Sequence, residues 1–263
     1  MQGKEIRIKR LSKHSNRMFI VPMDHGISAG PIPGLVDIRQ AVKSVVAGGA
    51  DAVIVHKGLV KRITEHLSPA GCELIVHLSA STDLSPQSNK KELVASVEHA
   101  IKLGATAVSV HVNLADRGEA QMLKDLGQVA EHCDYWDLPL LAMMYVRDGN
   151  KASEFDPIKI SHAIRVAEEL GADIVKVNYT GSQESFARVL SGVHIPVVIA
   201  GGPKMASTVN LLEMIFDAIE VGAAGISIGR NIFQYSNPTI LAATIRKILD
   251  GQTSRDCLLE FKR

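Results

Sequence analysis

Short apolar runs recur along the chain and predict eight β-strands. Four of them share one phrase, in which a glycine and a small residue precede a stretch rich in β-branched residues: Gly49-Ala-Asp-Ala-Val-Ile-Val-His56, Gly104-Ala-Thr-Ala-Val-Ser-Val-His111, Gly171-Ala-Asp-Ile-Val-Lys-Val-Asn178 and Gly222-Ala-Ala-Gly-Ile-Ser-Ile-Gly229. The other four runs are 19–23, 74–78, 139–144 and 196–200. Strands that are apolar on both faces are typical of a parallel sheet covered by helices.

Segments whose apolar residues have helical spacing lie between these strands. Apolar residues three and four positions apart predict helices at 38–47, 91–103, 119–133, 157–170, 182–190, 210–221 and 239–249. Strand and helix alternate, and the first strand lacks the Gly-x-Gly-x-x-Gly turn of dinucleotide-binding sheets. We therefore predict an α/β fold, a single-domain (β/α)8 TIM barrel over residues 1–263 with a short basic N-terminal extension, rather than an open doubly wound sheet.

Composition narrows the class of protein. The 263 residues carry a net charge of +1, which does not favour a nucleic-acid partner. Basic residues cluster in the first 17 positions, which we interpret as a solvated or subunit-contacting segment. The cysteines, Cys72, Cys133 and Cys257, are odd in number and widely spaced, so we expect no disulfide framework. The chain lacks a signal-like start and a membrane-length apolar run, which predicts a cytoplasmic protein without a membrane partner.

Lys176 stands in the middle of the sixth predicted strand. Burial lowers the pKa of a lysine, and a neutral amine attacks a carbonyl to form a Schiff base. Barrel active sites lie at the carboxyl ends of the strands, where Tyr145 and Asp24 are placed to move protons beside this amine. The alternatives are a lysine that reaches the end of the sheet or pairs with a carboxylate, a core tyrosine, and an aspartate that caps a turn.

Glycine-bearing turns follow the last two strands, where barrels commonly bind a phosphate on backbone N–H groups. They predict a phosphate site at Gly201, Gly202, Gly229 and Arg230, unless these glycines only make tight turns. Lys57 and Lys204 also lie in turns, and we assign them to phosphate or carboxylate binding. We interpret four histidines near strand ends as residues lining the site, with His25 as a substrate contact and no metal: His25, His56, His77 and His111.

Eight motifs resemble those of the archaeal-type class I (Schiff-base) aldolases. They are Met23-Asp-His-Gly-Ile-Ser-Ala-Gly-Pro31, His56-Lys-Gly58, His77-Leu-Ser79, Val108-Ser-Val-His-Val-Asn113, Ala142-Met-Met-Tyr145, Lys176-Val-Asn-Tyr-Thr-Gly181, Ala200-Gly-Gly-Pro-Lys204 and Gly229-Arg-Asn-Ile-Phe-Gln234. Within the family, the chain most resembles the 2-amino-3,7-dideoxy-D-threo-hept-6-ulosonate synthase subfamily. The resemblance implies that Lys176 forms the Schiff base, with Tyr145 and Asp24 as catalytic partners.

The resemblance also implies a reaction. A phosphorylated ketose is cleaved on the lysine, and the bound fragment is joined to L-aspartate semialdehyde in a shikimate-type aromatic route. No metal or organic cofactor is implied, and rings of subunits, often decamers, are expected.

Two departures leave alternatives open. Val146-Arg-Asp-Gly149 replaces the Pro-Arg-Gly that often follows the tyrosine. The stretch His77-Leu-Ser-Ala-Ser-Thr82 is more similar to a related bacterial synthase that uses dihydroxyacetone phosphate and aspartate semialdehyde in secondary metabolism. Fructose-bisphosphate aldolase, a phosphosugar isomerase and a non-catalytic phosphosugar-binding barrel are the further alternatives.

Overall fold

Eight parallel strands close into a barrel, which confirms the predicted fold class. The computed structural model describes residues 2–67, 71–253 and 255. The barrel strands are β1 (Met18–Pro22), β2 (Ala52–Val55), β3 (Glu73–His77), β4 (Ala107–Leu114), β5 (Leu140–Val146), β6 (Ile174–Asn178), β7 (Val197–Ala200) and β8 (Gly225–Ser227). Each strand pairs with its neighbours in sequence, and β8 pairs with β1 through Met18 opposite Gly225 to close the ring.

Alternation along each strand sends side chains either into the barrel or toward the helices. In β6, Ile174 packs with interior residues such as Leu141 and Val198. Val175 and Val177 belong instead to the larger core between the barrel and the helices. Lys176 has the same parity as Ile174, and its side chain therefore faces the interior of the barrel.

Helices surround the ring, and polar side chains cap several of their first turns. The α-helices are α1 (Gln2–Arg10), α2 (Gly26–Ala29), α3 (Ile38–Ala47), α4 (Val60–Ile63), α5 (Val97–Lys102), α6 (Glu119–Tyr135), α7 (Pro157–Glu169), α8 (Gln183–Leu190), α9 (Thr208–Glu220), α10 (Arg230–Phe233) and α11 (Pro238–Leu249). Asp37 caps α3 and Asp156 caps α7, where each carboxylate accepts two backbone N–H bonds. No helix in the part of the chain that is described has the length and apolarity to cross a membrane.

The helix predicted at 91–103 is wrong in its first half. Glu92–Leu93 is a short strand that pairs antiparallel with Ser79–Ala80, and the Val94 N–H donates to the Leu78 carbonyl at 2.8 Å. The helix α5 begins only after Ser96, whose hydroxyl accepts from the His99 N–H. Pairing with the end of β3 thus overrides the local helical spacing. It holds the long loop after β3 against the mouth of the barrel.

The N-terminal segment packs against the other end of the barrel. We predicted a solvated or subunit-contacting segment, and its later part is buried within this chain rather than solvated. Leu11 is fully buried and packs with the interior residues Met18 and Ile20. Lys4 forms an ion pair with Asp173 at 3.2 Å. These contacts seal the end at which the strands begin.

Below this seal, Asp51 is fully buried. Its carboxylate accepts from the Arg246 guanidinium at 2.9 Å and from the Phe19 N–H at 2.8 Å, and it lies 2.6 Å from the His14 ring.

Cys72 and Cys133 are buried free thiols, and burial raises the pKa of each to about 12. Cys257 lies outside the described residues.

Candidate active site

A cavity of about 740 Å³ opens at the carboxyl ends of the strands. Every strand or the turn after it contributes to its wall, through Asp24, His56, His77, His111, Tyr145, Lys176, Gly201 and Ser227. Closure of the ring is what brings these residues together, because they are spread over most of the sequence.

Lys176 lies in the wall of this cavity with 7% of its surface exposed. Its side-chain nitrogen is 4.0 Å from the sulfur of Met143, the residue opposite it on β5. Among the described residues, no carboxylate forms an ion pair with it. The arrangement differs from both sequence alternatives, since the lysine neither pairs with a carboxylate nor reaches out to solvent. A buried amine that faces an open cavity is available to a carbonyl substrate.

Asp24 lies across the cavity at the end of β1. Its carboxylate is 3.7 Å from Nε2 of His77 and 3.5 Å from Nδ1 of His25. Burial would raise the pKa of Asp24, but the attraction of His77, His25 and Lys176 outweighs it, and the pKa lies below its ordinary value. Asp24 is therefore a carboxylate at neutral pH.

His77 is held neutral beside that carboxylate. Burial lowers its pKa to about 4, although Asp24 acts in the opposite direction. The ring nitrogen Nδ1 is 2.8 Å from the Ser109 hydroxyl, which fixes the plane of the imidazole. The His56 ring packs edge-on against His77 at 5.3 Å, and burial lowers the pKa of His56 as well.

Tyr145 is packed between two polar side chains on the β4–β5 side. The His111 ring lies 4.9 Å from the tyrosine ring, and the Arg147 guanidinium lies 5.2 Å from its centroid. Arg147 is in turn paired with Glu154, and His111 bonds Asn113 at 2.9 Å. This packing fixes the ring, and the tyrosine lines the same cavity as Lys176 and Asp24.

The turns after β7 and β8 require glycine for steric reasons. A Cβ atom on Gly201 would lie 2.6 Å from the Ile228 side chain, and one on Gly229 would lie 2.3 Å from the Pro22 carbonyl. Gly202 has a φ of +63°, the left-handed region that favours glycine. The backbone therefore approaches its neighbours closely at both turns.

Asn231 joins the two turns into one unit. Its amide donates to the carbonyls of Gly201 at 2.8 Å and Pro203 at 3.1 Å, and its side-chain oxygen accepts from the Met205 N–H at 2.7 Å. The structure thus explains why an asparagine follows Arg230 in the eighth turn.

Two polar donors at these turns are buried without protein partners. The Nε of Arg230 and the hydroxyl of Ser227 are buried, and neither has a hydrogen-bond partner among the described residues. Lys204 also lines the cavity and donates to the Gln234 carbonyl at 2.8 Å. Buried donors without partners are rare in folded proteins, and a guanidinium beside glycine turns suits a phosphate.

One predicted site residue lies elsewhere. Lys57 does not line the cavity, because its ammonium donates to the Val94 carbonyl at the protein surface. His25 does line it, and its ring packs edge-on against Phe233 at 5.5 Å. In the described part of the chain, no three histidine, cysteine or acidic side chains are grouped to hold a metal ion.

The sequence analysis missed several residues of the cavity, among them Lys91, Asp83 and Ser227. It quoted Asn231 in a motif but did not predict that this residue bridges two turns. Lys91 was assigned to a helix, and the signal against that helix was the run of serines around Pro86, which is typical of a loop. Ser227 carried a signal of its own, a lone hydroxyl at an inward position of an apolar strand.

Comparisons with known proteins find relatives of this chain. The family model described as DeoC/LacD family aldolase matches residues 18–235. A curated 2-amino-3,7-dideoxy-D-threo-hept-6-ulosonate synthase 1 from Archaeoglobus fulgidus is 42% identical, over 100% of this chain and 96% of that protein. A 2-amino-4,5-dihydroxy-6-oxo-7-(phosphonooxy)heptanoate synthase from Streptomyces griseus is 40% identical, over 96% of this chain and 92% of that protein.

A solved structure is similar as well. It is an archaeal fructose-1,6-bisphosphate aldolase whose catalytic lysine is covalently bound to the carbinolamine intermediate of its substrate. It has a TM-score of 0.86 and 27% identity, over 95% of this chain and 100% of that one.

Proposed function

The chain belongs to the DeoC/LacD family of aldolases, and from this premise we propose that it joins a fragment of a phosphorylated ketose to L-aspartate semialdehyde through an imine on Lys176. The observation that carries the proposal is the buried Lys176 amine. It faces a cavity that also holds Asp24, Tyr145 and the glycine turns after β7 and β8. Such an arrangement suits covalent catalysis on a phosphorylated carbonyl compound.

In the proposed first step, the Lys176 amine attacks the ketone carbon of the donor. The carbinolamine loses water and becomes an iminium ion, which withdraws electrons from the neighbouring carbon–carbon bond. Cleavage of that bond releases an aldehyde and leaves an enamine on the lysine. The enamine carbon then attacks the aldehyde carbon of the acceptor, and hydrolysis of the new iminium frees the product and the amine.

Asp24 and Tyr145 are proposed to move the protons of these steps. Asp24, a carboxylate at neutral pH, suits acceptance of a proton from the carbinolamine or from the donor hydroxyl. Tyr145, held between His111 and Arg147, suits donation to the oxygen that leaves or is attacked. Arg230, Ser227 and the glycine turns are proposed to bind the phosphate, with Lys204 and His25 beside them.

The acceptor is proposed from the relatives. The products of the Archaeoglobus fulgidus and Streptomyces griseus enzymes are both 2-amino acids with a seven-carbon chain. L-aspartate semialdehyde would supply four of these carbons, and a ketone fragment the other three.

The donor has two candidates that differ in the fate of the phosphate. The Streptomyces griseus product keeps a phosphonooxy group at carbon 7, whereas the Archaeoglobus fulgidus product is deoxy at that carbon. We propose as donor a larger ketose that carries its phosphate on the half released as the aldehyde, so that the three-carbon fragment left on the lysine ends in a methyl group. The resemblance of residues 77–82 to the bacterial synthase favours dihydroxyacetone phosphate as the second candidate. Mass analysis of the product separates them, since only the second donor leaves its phosphate on the product.

Borohydride trapping tests the proposed imine. We expect the wild-type protein, incubated with dihydroxyacetone phosphate or fructose 1-phosphate and reduced, to gain a ketose adduct on the peptide that contains Lys176. Lys176→Met should form no adduct and lose at least about 10⁴-fold in turnover, because no other group supplies the amine. Lys124→Met, on the exposed face of α6, is the matched control and should keep both the adduct at Lys176 and the wild-type turnover.

An adduct on Lys176→Met, or turnover of either ketose without any adduct, would contradict the proposal. Turnover without an adduct would favour acid–base isomerisation, and neither turnover nor adduct would favour a barrel that only binds phosphosugars. A ring-shaped homo-oligomer, often a decamer in the resembling family, remains a prediction for this chain.

A further inference from the structure

The cavity has a second polar wall, on the side opposite the glycine turns. In a ring of eight strands, β3 lies four positions from β7, so the loop after β3 faces the turn that contains Gly201 and Gly202. This loop runs over residues 78–96 and is anchored by the short strand pair Ser79–Ala80 and Glu92–Leu93. Ser81, Asp83 and Lys91 of this loop line the cavity. None of them takes part in the proposed imine chemistry or phosphate binding.

Lys91 is held in this wall by oxygen atoms of its own loop. Its ammonium donates to the Ser81 hydroxyl and to the Ser88 carbonyl at 3.1 Å. An ammonium has three N–H donors, so one remains for a ligand. Burial lowers the pKa of Lys91, while Asp83 and Asp24 raise it. No carboxylate among the described residues forms an ion pair with Lys91.

Asp83 supplies the opposite charge beside Lys91. Its backbone N–H donates to the Ser28 carbonyl at 3.0 Å, which ties the loop to α2, the short helix after β1. Its carboxylate lines the cavity and has no ion-pair partner in the described part of the chain. The wall therefore presents one ammonium and one carboxylate, both open to a ligand.

Two other cations of the cavity fit this role less well. The Arg147 guanidinium is already paired with Glu154 and lies over the Tyr145 ring. Lys151 lines the outer rim with an exposed side chain, whereas Lys91 is half-buried. Lys91 also lies near His111, the ring that packs against Tyr145. A ligand on Lys91 therefore lies on the side of the cavity that holds Tyr145.

We propose that Lys91, Ser81 and Asp83 form the subsite for the α-amino acid end of the acceptor, with its carboxylate on Lys91 and its ammonium on Asp83. This inference rests on the proposed function, because the acceptor there is an amino acid with an aldehyde at its far end. The pair of opposite charges matches a zwitterion. A second phosphate would meet repulsion from Asp83, so the wall favours an amino acid over a phosphorylated aldehyde.

The first test measures binding without catalysis. L-homoserine is L-aspartate semialdehyde with its aldehyde reduced to an alcohol, so it cannot react with an enamine. Calorimetric titration of L-homoserine should give a Kd about tenfold or more weaker for Lys91→Met, and also weaker for Asp83→Asn, than for the wild type. Lys90→Met is the matched control, since the neighbouring Lys90 pairs with Glu92 outside the cavity and should bind as the wild type does.

The second test separates this subsite from the imine chemistry. Lys91→Met should raise the KM for L-aspartate semialdehyde about tenfold or more, but leave the borohydride adduct at Lys176 and the kcat/KM for propanal within about twofold of wild type. Equal losses for both aldehydes would overturn the proposal, because they indicate a structural role for the loop.

Two further outcomes would also overturn it. One is equal homoserine affinity in Lys91→Met and wild type. The other is a Lys91-dependent preference for glyceraldehyde 3-phosphate, which would assign the subsite to a phosphate. Failure of the proposed function is a different result, namely no adduct at Lys176 in a protein that still binds L-homoserine through Lys91.

Discussion

Two arginines at opposite ends of the barrel differ in what surrounds them. Arg246, at the end closed by the N-terminal segment, is 8% exposed and bonds Asp51 and Ser15 at 2.9 and 2.6 Å. Arg230, at the open end, has a buried Nε and no hydrogen bond from its side chain to a described residue. The Nε of each arginine is buried without a partner, but the other two nitrogens of Arg246 are paired, including an ion pair with Asp250 at 2.8 Å. Arg230 forms no side-chain hydrogen bond or ion pair with a described residue.

This difference in pairing distinguishes residues that stabilise the fold from residues that are available to bind a ligand. At the closed end, the Asp51 carboxylate accepts from Arg246 and from the Phe19 N–H, which joins α11 to the start of β1. At the open end, Ser227 and Arg230 keep buried donors without partners. A guanidinium in a cavity wall that has no protein partner is available to a negatively charged substrate group.

The largest expected effect is a loss of stability from a substitution at the closed end. Arg246→Met leaves the fully buried Asp51 carboxylate with two partners instead of three. Removal of one member of a buried ion pair costs about 3–5 kcal/mol, and we expect that loss in the free energy of unfolding. Denaturant titration followed by circular dichroism measures it.

A control and a double variant sharpen this prediction. Arg188→Met removes an exposed pair with Glu184 at 3.8 Å and should cost less than about 1 kcal/mol. Asp51→Asn combined with Arg246→Met removes the stranded charge and should recover part of the loss. At temperatures where Arg246→Met is folded, its kcat/KM should equal the wild-type value. A stable but inactive Arg246→Met would show that the two ends are not separate.

The next largest effect is expected at the open end, where a substitution should lower activity and leave stability unchanged. Arg230→Met should lower kcat/KM for the phosphorylated donor by about 30–160-fold, since a hydrogen bond to a charged group contributes roughly 2–3 kcal/mol. The free energy of unfolding should stay unchanged or rise slightly, because the arginine has no protein partner to lose. Steady-state kinetics and denaturant titration on one preparation measure both. A loss of stability with an unchanged KM for the donor would contradict the assignment of Arg230 to the phosphate.

The strands and the inward direction of Lys176 could be predicted from the sequence, because both follow from local patterns. Four copies of one phrase mark the strands, and the alternation of Ile174, Val175, Lys176 and Val177 fixes which side chains face inward. The glycine turns were accessible for the same reason, since their position after the last two strands is a property of the fold class.

The contacts between side chains could not be predicted from the sequence, because the partners come from distant parts of the chain. Asp51 and Arg246 are separated by 195 positions and meet only when α11 packs beside the first strands. The Asn231 bridge between two turns and the Lys91 wall depend in the same way on closure of the ring. The loop after β3 was misassigned because a helical spacing of apolar residues outweighed its serines in a local reading.

The smallest effect concerns the histidines of the open end. Burial lowers the pKa of His77 to about 4, against an ordinary value of 6.5, so the folded protein binds this proton less readily than the unfolded chain does. The stabilising contribution is complete above pH 6.5 and is lost as the pH falls toward 4. Between pH 7 and pH 5 the free energy of unfolding should fall by on the order of 1–2 kcal/mol through His77.

His77→Gln should flatten this dependence, because glutamine keeps a polar group beside Ser109 and binds no proton. His99→Gln, on the exposed side of α5, is the control and should keep the wild-type dependence. Denaturant titrations at pH 5, 6 and 7 compare the three proteins by their change with pH rather than by absolute stability, which cancels the packing cost of each substitution. An equal fall in wild type and His77→Gln would place the acid-sensitive group elsewhere, and the neutral imidazole beside Asp24 would lose its support.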